Sequence, residues 1–157
     1  MIKPEPQSVC VPARFSALPD LLASLDTLAL GPEGVATVLR ARLAVEELFT
    51  NTIQHGYGCE SDSPVWLKVQ RSGDTLRVVY TDMADAFDPL QAGAPRTAAG
   101  AVASEHEIGG LGHLLVMGLA RHCSYTRASD RNVTLLEFAL SPNPVLSSPP
   151  PAHPRQS

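Results

Sequence analysis

Apolar residues recur at helical spacing through the stretch that ends in LRARLAVEELFTNTIQHGYG. Val38, Val45, Leu48, Phe49 and Thr52 fall on one stripe at about 100° per residue, the face a helix turns to a core. The pattern predicts a helix from about Pro32 or Gly34 to Gln54 or His55, closed by Gly56 and Gly58. Beside the stripe, Glu47, Asn51 and His55 stand four residues apart, so an acid, an amide and an imidazole line up on a neighbouring face. Glu46 points roughly 100° away from that row, toward solvent.

The rest of the chain follows the same logic. SVCVPARF (8–15) alternates as a strand, and Pro12 assigns it to a sheet edge or a bulge. SALPDLLASLDTLAL (16–30) carries leucines at helical spacing and stops at Gly31-Pro32. VWLKVQ and DTLRVVYTD read as a hairpin turning through Arg71-Ser72-Gly73-Asp74. Residues 83–108 are rich in Ala, Gly and Pro with little periodicity, as befits a functional lid, placed at about 91–108. GGLGHLLVMGLARHC opens on glycines and continues as an apolar helix. SYTRAS and NVTLLEFAL close the pattern as a second hairpin, turning at Asp130-Arg131-Asn132. Residues 1–7 read as a flexible lead and 141–157, with six prolines, as a disordered tail. The order predicts one domain over 8–140, an α/β (α+β) two-layer sandwich of a mostly antiparallel sheet and about three helices.

Composition narrows the function classes. A net charge of −4 without a Lys/Arg-rich run argues against direct nucleic-acid binding. No apolar run approaches the roughly 18–20 residues of a membrane span, and the first residues carry no secretory h-region. Three cysteines without metal-ligand spacing suggest reduced, mostly buried thiols, and a cytoplasmic location.

Three features carry chemistry. On the helix row, a carboxylate can take a proton from a nucleophile, and a neighbouring amide oxygen suits Mg²⁺; a solvated pair of side chains is the plainer reading of Glu47 and Asn51. Asp82 ends a strand, where a carboxylate can accept from the amine of a base or merely cap a turn. Gly109-Gly110-Leu111-Gly112 precedes an apolar helix, whose free N–H groups and dipole attract phosphate. No Lys-Ser/Thr follows the last glycine, so this is not a P-loop.

Taken in order, E-x-x-x-N-x-x-x-H on a helix, an Asp at a strand end and GGLG opening a helix resemble the N, G1 and G2 boxes of the GHKL ATPase superfamily. VEELFTNTIQHGYG, FDPL, EIGGLGHLLV and RNVTLLEF resemble more closely the anti-sigma-factor serine/threonine kinases of the partner-switching type, over roughly residues 8–140. The resemblance implies a Bergerat-type ATP-binding fold, with Glu47 as general base and Asn51 as ligand of Mg²⁺. It implies that Asp82 reads the adenine amino group, helped by Thr134, and that Gly109, Gly110, Leu111 and Gly112 hold phosphate. His55 matches the histidine of the N box. The implied cofactors are ATP and Mg²⁺. The implied partners are a STAS-type anti-anti-sigma protein, a sigma factor and a second copy of the chain.

One departure stands out. Ala84 occupies a position where the G1 box usually has glycine, so its methyl crowds a tight pocket, and a positive φ there would strain it. A non-catalytic, nucleotide-dependent sequestering module and a standalone GHKL ATPase switch are therefore the alternatives to a kinase.

Overall fold

The computed structural model describes residues 5–28, 30–89 and 118–140. Five strands form one sheet: β1 (Gln7–Ala13), β2 (Ser61–Ser72), β3 (Thr75–Asp82), β4 (His122–Ala128) and β5 (Arg131–Ala139). Their spatial order is β1-β2-β3-β5-β4, and every neighbouring pair is antiparallel. Two helices, α1 (Leu18–Asp26) and α2 (Val35–Asn51), lie against one face of it. This is the α/β sandwich that the apolar pattern anticipates. The third expected helix, the lid, the Gly109–Gly112 turn and the tail lie outside the described residues, apart from the end of that helix.

Period-two alternation builds the sheet's inner face. Val65, Leu67 and Val69 of β2, Leu76, Val78 and Tyr80 of β3, and Leu136 and Phe138 of β5 are buried. Leu21, Leu22 and Leu25 of α1 and Val45, Leu48 and Phe49 of α2 close over them. Ala41 and Ala44 are fully buried, and their short side chains suit close helix approach. Thr37 anchors the first turn of α2 to the far end of β5, donating to the Ala139 carbonyl at 2.9 Å.

Pro12 sits on the edge strand, opposite Pro64, and the β1–β2 register slips just after it. Neither proline donates to a ladder, so the irregularity falls where the sheet tolerates it. The first hairpin turns more tightly than the four residues expected: Ser72 pairs with Thr75, and Gly73 adopts φ +59° between them. In the second hairpin Ala128 pairs with Arg131, so the turn is Ser129-Asp130, with Ser129 at φ 57°. Asn132 is therefore a strand residue rather than a turn residue, and it faces Asp82 across the β3–β5 ladder.

The cysteines correct another expectation. Cys10 and Cys59 are exposed and only Cys123 is partly covered. Cys10 faces outward on the edge strand, and Cys59 follows the Gly58 stop in a polar turn. Burial pushes the Cys123 thiol up to about 11, which keeps it protonated and unreactive near neutrality. Titration of the native protein with a thiol-specific disulfide reagent at pH 8 is expected to release two equivalents quickly. The third should appear slowly, or only on denaturation. Three equally fast equivalents would contradict this burial.

Candidate active site

The cleft opens where the end of α2, the end of β3 and the start of β5 converge. Leu48, Asn51, Thr52, Gly56, Asp82 and Thr134 wall it, together with Tyr80, Asn132 and, from the segment after Asp82, Ala84, Asp85, Phe87 and Pro89. About 400 Å³ of empty space lies between these walls, open solvent at the mouth included.

Asp82 is its buried acid, 6% exposed. It closes an alternating strand whose inner positions are otherwise apolar, so the ladder itself carries the carboxylate inward. Its Oδ1 accepts from the Ala84 N–H at 2.9 Å and from Asn132 Nδ2 at 2.8 Å. Its Oδ2 accepts from the Thr52 hydroxyl at 3.3 Å, and Thr52 accepts in turn from the Tyr80 hydroxyl at 2.9 Å. Burial holds the Tyr80 hydroxyl well above the usual tyrosine range, so the relay keeps its direction at neutral pH. A carboxylate offers about four acceptor positions, and the three named donors leave one of them open.

Thr52 belongs to the apolar stripe of α2 by spacing, and it is buried as that reading expects. Its hydroxyl, however, serves the acid and not the core. Tyr80 and Asn132 escaped sequence reasoning altogether. For Asn132 the missing signal was the correct turn: once the hairpin turns at Ser129-Asp130, alternation brings Asn132, Thr134, Leu136 and Phe138 onto the inner face. Thr134 is 3% exposed and lines the cleft, and its hydroxyl has no hydrogen-bond partner among the described residues.

On α2 the two acids separate as turn counting expects: Glu46 is exposed and Glu47 half-buried. Asn51 lines the cleft, whereas Glu47, one turn earlier, lies outside its wall. Among the described residues neither side chain forms a hydrogen bond or an ion pair. His55 does not continue the row. The α-helix ends at Asn51 and Thr52–Tyr57 form a π turn, stopped by Gly58 at φ 76°. The wider turn breaks the four-residue repeat, and His55 is exposed and off the cleft wall.

Ala84 also differs from expectation. Its backbone is not left-handed, since Ser129 is the one non-glycine with positive φ among the described residues. Its methyl is buried and faces Gly56: a Cβ built on Gly56 would stand 2.8 Å from the Ala84 Cβ. The extra methyl thus occupies room that a glycine across the cleft leaves free. Gly56→Ala is expected to cost about 1–3 kcal/mol of stability through overpacking. Ala84→Gly in the same chain should return most of it, as urea unfolding would read. A double variant no more stable than Gly56→Ala alone would refute the pairing.

A family model described as a histidine kinase-like ATPase domain matches residues 11–138. Among solved structures, the RsbU and RsbW domains of a Mycobacterium tuberculosis protein align with a TM-score of 0.58 at 15% identity. That alignment covers 86% of this chain and 32% of the other, so the chain spans about a third of that structure's length. At this identity the likeness concerns the fold. No curated protein sequence matches the chain.

Proposed function

The chain belongs to the histidine kinase-like ATPase domain family, and we propose that it is an ATP-dependent serine/threonine protein kinase and anti-sigma factor. Its substrate is a STAS-type anti-anti-sigma protein, and its other partner is a sigma factor. The observation that carries the reading is the buried Asp82, held by three donors with one acceptor position left beside a solvent-open cleft. An acceptor so placed suits the 6-amino group of adenine, which is a donor. Thr134 stands on the adjoining strand to assist it.

Asn51 lines the same cleft, and its side-chain amide has no competing partner among the described residues. Mg²⁺ takes few protein ligands and keeps waters and phosphate oxygens, so a single amide suits it. Among the described residues no cluster of three or more His, Cys, Asp or Glu forms a self-sufficient metal site. The ion would arrive with the nucleotide, and its chemistry would be to neutralise phosphate charge. Glu47 has the half-burial and the unengaged carboxylate that a general base needs. It accepts the proton of the substrate hydroxyl as that oxygen bonds to the γ-phosphorus and the bond to the ADP oxygen breaks. Gly109, Gly110, Leu111 and Gly112 are proposed to hold the phosphates. A phosphate placed on the substrate adds a near-dianion to an interface, which can dissociate one partner and free the chain for the other.

Ala84 does not favour the sequestering module, because its methyl is accommodated and its backbone unstrained. The deciding experiment is incubation with γ-labelled ATP, Mg²⁺ and candidate STAS proteins, with sigma-factor capture measured in parallel. Label should pass to the STAS protein. Tight ATP binding without any transfer would return the sequestering module, and rapid hydrolysis without a protein substrate would return the ATPase switch.

Among the described residues no helix is long and apolar enough to cross a membrane. A homodimer and a cytoplasmic location remain parts of the proposal.

A further inference from the structure

Asn132 makes more contacts than any resemblance assigns to it. It is 5% exposed and joins β3, β4, β5 and the segment after Asp82 through one side-chain amide. The two N–H bonds of its Nδ2 serve three acceptors, Asp82 Oδ1 at 2.8 Å, the Asp85 carbonyl at 3.0 Å and the Ala84 carbonyl at 3.2 Å, so one of them is shared. Its Oδ1 accepts from the Tyr125 hydroxyl at 2.7 Å, from Arg127 Nη1 at 3.0 Å and from the Phe87 N–H at 3.4 Å. Arg127 Nη1 also donates to the Ala84 carbonyl at 2.8 Å. The amide cannot be turned over, because Arg127 and Phe87 only donate and the two carbonyls only accept.

We propose that Asn132 is a positioning residue that fixes the Asp82 carboxylate with a single acceptor facing the cleft, and so sets the preference for a 6-amino purine over a 6-oxo purine. The inference rests on the reading that Asp82 meets the adenine amine. A 6-amino purine offers a donor at position 6 and an acceptor at N1; a 6-oxo purine offers the reverse. With Oδ1 saturated and Oδ2 tied to Thr52, the carboxylate cannot turn to follow the N1–H of a 6-oxo base. Without Asn132, Oδ1 loses its side-chain donor, the carbonyls of Ala84 and Asp85 lose a tether, and the acid can rotate. Discrimination arises here from rejecting the wrong pattern of donors and acceptors, the most selective device available to a polar pocket.

The test is equilibrium binding of ATP and inosine triphosphate, each with Mg²⁺, to the full chain. The wild type should favour ATP by about 100-fold, within what a hydrogen-bonding site achieves. In Asn132→Ala that ratio should fall to about 5-fold or less, chiefly through loss of ATP affinity. A merely structural role would weaken both nucleotides alike and leave the ratio unchanged, and that result would overturn the inference. If Asn132→Ala does not fold, Tyr125→Phe replaces it. That variant removes one clamp on the amide and should lower the ratio about 3-fold, consistent with one neutral hydrogen bond; an unchanged ratio refutes the proposal equally. A wild type that binds neither nucleotide would defeat the ATP reading itself, a failure distinct from one in which ATP binds and the ratio ignores Asn132.

Discussion

Glu47→Gln is expected to bind ATP as the parent chain does and to transfer its γ-phosphoryl group about 10²–10⁴ times more slowly, the usual share of a positioned general base. The change is nearly isosteric, and Glu47 forms no hydrogen bond or ion pair among the described residues, so the fold gives no reason for wider damage. It lies outside the wall of the cleft, which separates its role from that of the groups that hold the base. The amide cannot accept the hydroxyl proton, whereas it keeps the size and shape of the acid on the same helix face. Single-turnover transfer to a STAS protein, beside a nucleotide titration, would check both halves. Full transfer in Glu47→Gln would remove Glu47 from the mechanism. Glu46→Gln, on the exposed neighbour, is the matched control and should transfer normally.

Asp82→Asn should act inside the cleft and on binding instead of transfer, lowering ATP affinity by about 100-fold or more. Three donors converge on the carboxylate. An amide at this position has one oxygen to offer, so at least one buried donor loses its acceptor, at a cost of about 1–3 kcal/mol. The amide NH₂ would also face the adenine amine if it took the Oδ2 place, donor against donor. Unfolding measured beside the nucleotide titration would separate the two costs. Retained affinity with reduced stability would make Asp82 a structural acid, and the nucleotide would need another site.

How much of this was legible in the sequence varies with how local the cause is. Asp82 could be read because it ends an alternating strand, and Glu47 was separable from Glu46 because a helix repeats every 3.6 residues. Pro12 alone marked β1 as an edge strand or a bulged one, and the strand is at the edge with its register slipping just after Pro12. His55 was misplaced because a π turn leaves no mark in residue spacing: E-x-x-x-N-x-x-x-H reads the same whether or not the helix widens after Asn51. Thr52 looked apolar in context because its partners, Tyr80 and Asp82, arrive from a strand about 30 residues away. Asn132 was lost to a displaced turn. Ser129 adopts the left-handed conformation that glycine, asparagine or aspartate would have advertised, so the neighbouring Asp130-Arg131-Asn132 looked the better turn.

The methyl of Ala84 against the bare Cα of Gly56 also constrains how such a chain can change over generations. Glycine at position 56 permits either glycine or alanine at 84, but alanine at 84 makes a side chain at 56 costly. The order of substitution is thereby biased: the methyl enters at 84 at least cost in a background already glycine at 56, and from then on a side chain at 56 is disfavoured. Related sequences should show three of the four Gly/Ala combinations at this pair freely, with the double alanine depleted.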